Sequence, residues 1–276
     1  MAWADIFGKR IFYRLIGGDV GTNKLPIIVF LHEGLGSDEQ WKGFPDLLCK
    51  ATGFPGLVYD RYGYGKSEKF SEARDGEYFT SEATVFLSGL LDTLEIQQPV
   101  ILFGHSDGGS IALRFAGAFP ERVKCLISVA AHVFLEEISL AGIRSAIDAF
   151  ENGNLKKSLE KYHGDKTESV FWGWAGTWLN DSLRDWNMCD QLQAITCPSL
   201  IVQGLDDVYG SPAQVHEIAK AIGPAAETWL IPDCGHAPHL ERTAEVVARC
   251  QSFIARNVFG QDLQNGPSFR SGLNLL

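Results

Sequence analysis

The 276-residue chain lacks any excess of basic charge: 24 Lys and Arg stand against 34 Asp and Glu, a formal charge of −10. That balance excludes DNA, RNA and an anionic membrane surface as partners, because each would be repelled. Its six cysteines, at 49, 125, 189, 197, 234 and 250, include no C-x-x-C pair. A zinc ribbon, a thioredoxin-type site and a dense disulfide scaffold are therefore excluded, and the cysteines read as reduced thiols. Long apolar runs are missing too. The best candidate, 125–135, is broken by Ser128 and His132 and falls short of the roughly 18 residues that a membrane span needs. The opening MAWADIFGKRIFYRL has no continuous apolar stretch of the kind a secretory signal carries, so the cytoplasm is the expected location. Repeats and low-complexity tracts are absent, and nothing fixes an oligomeric state.

What is present describes a globular chain. It is 45% hydrophobic and 21% charged, with 29 Gly. At this length about three quarters of the unfolded surface can be buried, so a core forms without a metal or disulfide staple. Short β-branched runs alternate with longer helical stretches, which predicts a mostly parallel sheet with helices on both faces. The strands are expected at 26–31, 56–59, 99–103 and 199–202, with 123–131 and 227–231 as further members and 3–16 as an antiparallel opening hairpin. Helical spacing marks 81–95, 108–118, 212–222 and 241–256.

The alternation breaks between about 132 and 187, which has no strand-like run and carries Trp172, Trp174, Trp178 and Trp186. This segment reads as a helical insertion. The expected organisation is a core of 1–131 and 188–257, the insertion at 132–187, and an aperiodic C-terminal extension at 258–276.

The chemistry concentrates in GHSDGG at 104–109, between an apolar strand and a helical pattern. Ser106 there fits a nucleophile elbow, G-x-S-x-G, in which small residues flank a turn too sharp for side chains. A serine hydroxyl is a weak nucleophile at neutral pH and needs a base, itself oriented by an acid. His236, in DCGHAPH, and Asp207, in QGLDD, follow in the order Ser, Asp, His.

With those motifs, HEGLGS at 32–37 and DRYGYGKS at 60–67, the chain resembles the α/β-hydrolase-fold family from about residue 10 to 257. The resemblance implies an α/β-hydrolase fold, with 132–187 as a helical cap after the sixth strand. It also implies an oxyanion hole formed by the backbone N–H groups of Gly34 and Asp107. The family's spacing from Gly204 selects Asp207 over the adjacent Asp206 as the acid. Glu33 stands where the family usually has glycine, and is expected to turn from the oxyanion toward Arg61.

The implied activity is a serine hydrolase that cleaves a small carboxylic ester, thioester or lactone through an acyl-enzyme, with no cofactor or metal. Two alternatives remain on the same fold. One is a C–C bond hydrolase of a vinylogous diketone, for which Arg144 or Arg184 would have to supply positive charge. The other is a non-catalytic ligand receptor. A carboxylate nucleophile, as in dehalogenases and epoxide hydrolases, is disfavoured by Ser106. Asp107 is read either as an amine-binding carboxylate or as a side chain occupied by local hydrogen bonds. His132 and Trp172, Trp174 and Trp178 are candidate substrate contacts, with one or two of the tryptophans facing the cavity and the others packing. His32 and His105 read as structural, His163 either as a substrate contact or as structural, and His239 as a solvated or capping residue.

Overall fold

The computed structural model describes residues 1–18, 25–70 and 77–260. Eight strands form one sheet: β1 (Ala2–Ile6), β2 (Lys9–Ile16), β3 (Ile28–Leu31), β4 (Gly56–Tyr59), β5 (Val100–His105), β6 (Val123–Val129), β7 (Ser199–Gly204) and β8 (Ala226–Ile231). Their spatial order is β1-β2-β4-β3-β5-β6-β7-β8. The hairpin β1–β2 and the β2–β4 pair are antiparallel, and all other neighbours are parallel.

Strands β3, β5 and β7 are buried at every position because both sheet faces are covered. Successive side chains point to opposite faces, so each strand divides its residues between two layers. Ile28, Phe30, Ile101 and Phe103 pack toward α1 (Phe44–Thr52) and the last helix, α11 (Thr243–Phe259), through Phe44, Leu48, Val246, Cys250 and Phe253. Val29, Leu31 and Leu102 face the opposite layer. That layer contains α2 (Tyr78–Ser81), α3 (Ser88–Thr93), α4 (Asp107–Ala118), α8 (Cys189–Leu192) and α9 (Pro212–Ile222).

Two helices differ from the expected boundaries. The stretch expected at 81–95 starts at Tyr78 and passes through a π-helical segment, Glu82–Leu87, before α3 ends at Thr93. The stretch expected at 241–256 is split into α10 (Pro238–Glu241) and α11, with Arg242 out of helical geometry between them at φ −127° and ψ 42°. Helix α11 extends through Phe259, past the expected start of the extension at 258; residues 261–276 of that extension lie outside the described residues.

After β6, residues 132–187 carry three α-helices, α5 (Glu137–Glu151), α6 (Leu155–His163) and α7 (Thr167–Trp178). An antiparallel bridge between Phe134 and Asn187 joins the two ends of this segment. Its outer turn is fastened to the 32–37 and 60–67 loops. Gly65 N–H donates to His163 Nδ1 at 3.0 Å, His163 Nε2–H donates to Leu35 O at 2.9 Å, and Lys166 Nζ donates to the carbonyls of Tyr64, Gly65 and Ser67. No helix among the described residues is long and apolar enough to cross a membrane.

Candidate active site

Strand β5 ends at His105, and α4 begins at Asp107, leaving a single residue to turn the chain. Ser106 makes that turn at φ 53°, a left-handed conformation that side chains other than glycine avoid. The turn leaves no room beside it. A Cβ on Gly104 would lie 2.2 Å from Gly108 O, and one on Gly108 would lie 2.0 Å from Leu31 O. These two glycines are therefore steric requirements of the elbow.

Three loops at the C-terminal ends of the strands converge on Ser106. Its hydroxyl donates to His236 Nε2 at 3.0 Å, and His236 Nδ1–H donates to both oxygens of Asp207 at 2.9 Å. Asp207 also accepts from Tyr209 N–H at 2.8 Å and from the Gln203 amide at 3.4 Å. Burial alone would raise the Asp207 carboxyl, but the hydrogen bond and charge of His236 outweigh it and hold it below the usual carboxylate range. The neighbouring Asp206 is exposed, so geometry selects Asp207.

The loop that carries His236 is secured on both sides by a residue that sequence reasoning missed. Glu241 accepts from Gly235 N–H at 2.7 Å and from Ala237 N–H at 3.0 Å, bracketing the histidine. A third tie comes from His105, whose Nε2–H donates to His236 O at 2.8 Å. The other nitrogen of His105 lies 3.2 Å from Glu33 Oε2. Because the Nε2 proton is committed to a carbonyl, that contact bonds only if one of the two facing atoms carries a further proton. Burial would raise the Glu33 carboxyl, yet the hydrogen bond and charge of His105 outweigh it and hold it below the usual carboxylate range.

Glu33 therefore departs from the expected partner. Its carboxylate meets His105, while Arg61 Nη2 donates to the Glu33 main-chain carbonyl at 2.7 Å. His239 also corrects the reading of it as solvated or capping. It is 1% exposed and lies among Trp41, Phe44, Phe103 and His105, with ring centroids 4.5 to 6.3 Å away. Burial pushes its imidazole well below the usual range. His32 is structural as expected, with Nε2 accepting from Arg61 N–H at 3.0 Å.

Ser106 and His236 open on a cavity of about 230 Å³. The core contributes Gly34, Leu35, Gln40, Asp107 and Tyr209 to its wall, and 132–187 contributes Ser139, Ile143, Leu155, Leu159, Trp174 and Trp178. Gly34 is flush with that wall, since a Cβ there would lie 2.3 Å from Trp174 and 3.0 Å from Asp107 Oδ2. Asp107 is occupied locally: its oxygens accept from Trp178 Nε1–H at 3.3 Å and from the Tyr78 hydroxyl at 3.4 Å.

His132 lines the cavity, 6.2 Å from His236 between ring centroids. Trp174 and Trp178, four apart on one helical face, line it as well. Trp172 does not. Two residues from Trp174, it faces outward, is 41% exposed and donates from Nε1 to Glu168 at 3.0 Å, so its expected substrate contact is withdrawn. Trp186 packs instead, stacked on Phe79 at 5.0 Å. Arg144 and Arg184 are exposed and line no part of this cavity.

Comparison with known proteins settles the family. Residues 28–249 match the model of the alpha/beta hydrolase family. The chain belongs to that family. This hydrolase is 26% identical to the sn-1-specific diacylglycerol lipase ABHD11 of Mus musculus, over 91% of this chain and 87% of the relative. It is 24% identical to the proline iminopeptidase of Lactiplantibacillus plantarum, over 90% of this chain and 98% of the relative. Its fold is similar to that of the enol-lactonase from Burkholderia xenovorans LB400, with a TM-score of 0.71 at 20% identity, covering 91% of this chain and 99% of that one.

Proposed function

We propose that this hydrolase is a serine hydrolase that cleaves a small carboxylic ester, thioester or lactone. The carrying observation is the unbroken chain of hydrogen bonds from Ser106 through His236 to Asp207, opening on a largely apolar cavity. Ser106 Oγ attacks the carbonyl carbon while His236 Nε2 takes its proton. Asp207 holds the imidazole in the tautomer that accepts there and stabilises the imidazolium that forms. Collapse of the tetrahedral intermediate expels the alcohol, thiol or ring oxygen, which takes the proton from His236 and leaves an acyl-Ser106 ester. Water, deprotonated by His236, then attacks that ester and releases the acid.

Negative charge develops on the carbonyl oxygen in both halves of the reaction. We assign its stabilisation to the N–H groups of Asp107 and Gly34. Asp107 is the first residue of α4, where main-chain N–H groups have no intrahelical acceptor and the helix end is positive. Gly34 lies beside it in the cavity wall. Each such donor contributes about 3 kcal/mol to the transition state. The segment 132–187 serves as the cap that closes the cavity, with Trp174 and Trp178 as substrate contacts.

The cavity is smaller than the roughly 300–1,000 Å³ of sites for drug-sized ligands, which favours a compact substrate. Diketone C–C cleavage is less well supported, because none of the described lining residues is Lys or Arg to stabilise a dienolate. A fluorophosphonate probe and a panel of p-nitrophenyl esters, lactones and amides test the reading. Rapid labelling and multiple turnover are expected, both abolished in Ser106→Ala. Labelling without turnover indicates a receptor, and activity that survives in Ser106→Ala overturns the proposal.

A further inference from the structure

The cavity wall contains polar atoms that the hydrogen-bond chain of the active site does not use. His132 is 4% exposed, and its Nε2 lies 3.0 Å from Tyr209 O. A carbonyl only accepts, so Nε2 carries the proton. Burial, aided by the nearby His236, pushes the ring below the usual histidine range, so it is neutral and Nδ1 presents a lone pair. Among the described residues no group donates to that Nδ1. Ser139, 3% exposed in the first turn of α5, also lines the cavity, and its hydroxyl has no partner among them.

Buried polar atoms are nearly always paired, because leaving one unmet forfeits its hydration with no return. Two unmet atoms on residues that line one cavity thus point to a partner that arrives with the ligand. The sign of that partner follows from its surroundings. Glu33 and Asp107 are carboxylates, His132 Nδ1 is an acceptor, and no described lining residue is Lys or Arg. A carboxylate on the ligand would meet like charge and a lone pair without any cation. A hydroxyl would donate to Nδ1 while remaining uncharged, beside the apolar wall of Ile143, Leu155 and Leu159.

We infer that the cavity selects an uncharged, hydroxyl-bearing substrate, with His132 Nδ1 accepting from that hydroxyl, Ser139 supplying a second polar contact, and carboxylate-bearing analogues rejected. The inference rests on the serine-hydrolase reading and specifies the substrate of the same site. Nothing in it requires a change in the chemistry at Ser106. His132 and Ser139 are specificity residues here.

The test is a series of p-nitrophenyl acyl esters of three to six carbons, each with a terminal hydroxyl, methoxy, methyl or carboxylate group. At one chain length the hydroxy ester should exceed the methoxy and methyl esters in kcat/KM by about tenfold, the worth of one good neutral hydrogen bond. The carboxylate should be poorer still. His132→Phe should bring the hydroxy-to-methyl ratio to within about twofold, with Ser139→Ala reducing it part of the way. A variant that merely disturbed packing would lower all four rates together and leave the ratio unmoved.

Equal rates for hydroxy and methyl esters at every length, equal use of the carboxylate, or a ratio that survives in both variants would overturn the inference. Binding supplies an independent readout in Ser106→Ala, through quenching of Trp174 and Trp178 fluorescence by alkanediols and by the matching methoxyalkanols. Tighter diol binding without wild-type turnover would sink the hydrolase reading and keep the hydroxyl site. Turnover without preference would do the reverse.

Discussion

At the residue scale, the site depends on a few atoms whose hydrogen-bonding capacity is used to the full. Asp207 accepts from His236, Tyr209 and Gln203, and only a carboxylate can accept from all three. Asp207→Asn keeps the shape but offers His236 Nδ1 an amide that can donate, which favours the wrong tautomer. The expected result is a fall of about 10⁴-fold in kcat with little change in the folded structure, read by ester turnover and circular dichroism. Ser106, Asp207 and His236, which the structure joins by hydrogen bonds, were all legible in the sequence, because a serine, a histidine and an aspartate each sat beside a recognisable strand end. Glu241 and the Glu33–His105 pair were not. Their partners are main-chain groups and side chains 4 to 131 positions away, and no local pattern marks such pairings.

At the element scale, the strand-to-helix turn after β5 and the face of α7 show how spacing becomes geometry. The turn tolerates no side chain at its flanks, whereas a methyl group placed on Gly176, on the exposed side of α7, would meet nothing within 4 Å. Opposite outcomes follow for the same substitution. Gly108→Ala should destabilise by about 3 kcal/mol or prevent folding, because the obstacle is the Leu31 and His32 main chain. Gly176→Ala should stabilise by about 0.5–1 kcal/mol by restricting the unfolded chain and favouring helix. Chemical denaturation of the two variants beside the parent measures both. In α7 the helical period sorts the tryptophans: 174 and 178 share the face that meets the cavity, and 172 points away. The sequence alone could count the three tryptophans of α7 but could not orient them until the helix had a side against the core.

At the scale of the whole molecule, three buried histidines bind stability to pH. His132, His163 and His239 are all pushed down, chiefly by burial, so they are neutral in the folded protein and protonate more readily once unfolded. A base with a lowered folded pKa contributes fully above its unfolded value of about 6.5 and loses that contribution as pH falls through the folded value. The unfolding free energy should therefore decline on acidification below about pH 6.5, each histidine adding up to about 1.4 kcal/mol per pH unit. Asp60, raised by burial, acts with the opposite sign. Denaturant titrations between pH 8 and 5 check this, with His239→Phe expected to flatten the curve; a curve unchanged in that variant would show that His239 does not carry its share.

The alternation of apolar runs and helical spacing determined the order of strands and helices, since both faces of a parallel sheet must be covered and only that pattern covers them. Local sequence also determined the elbow, where glycine at 104 and 108 is the only residue that fits. The tertiary structure decided what long-range closure alone can decide. It set which loops meet above Ser106, which face of α7 looks inward, and which polar atoms are left unmet in a cavity that exists only when residues 132–187 fold over the sheet. Those pairings join residues far apart in the chain, and burial fixes their charge and tautomer. The overall charge of −10 does not set the character of the cavity, which comes from two carboxylates, a neutral imidazole and a described wall without lysine or arginine.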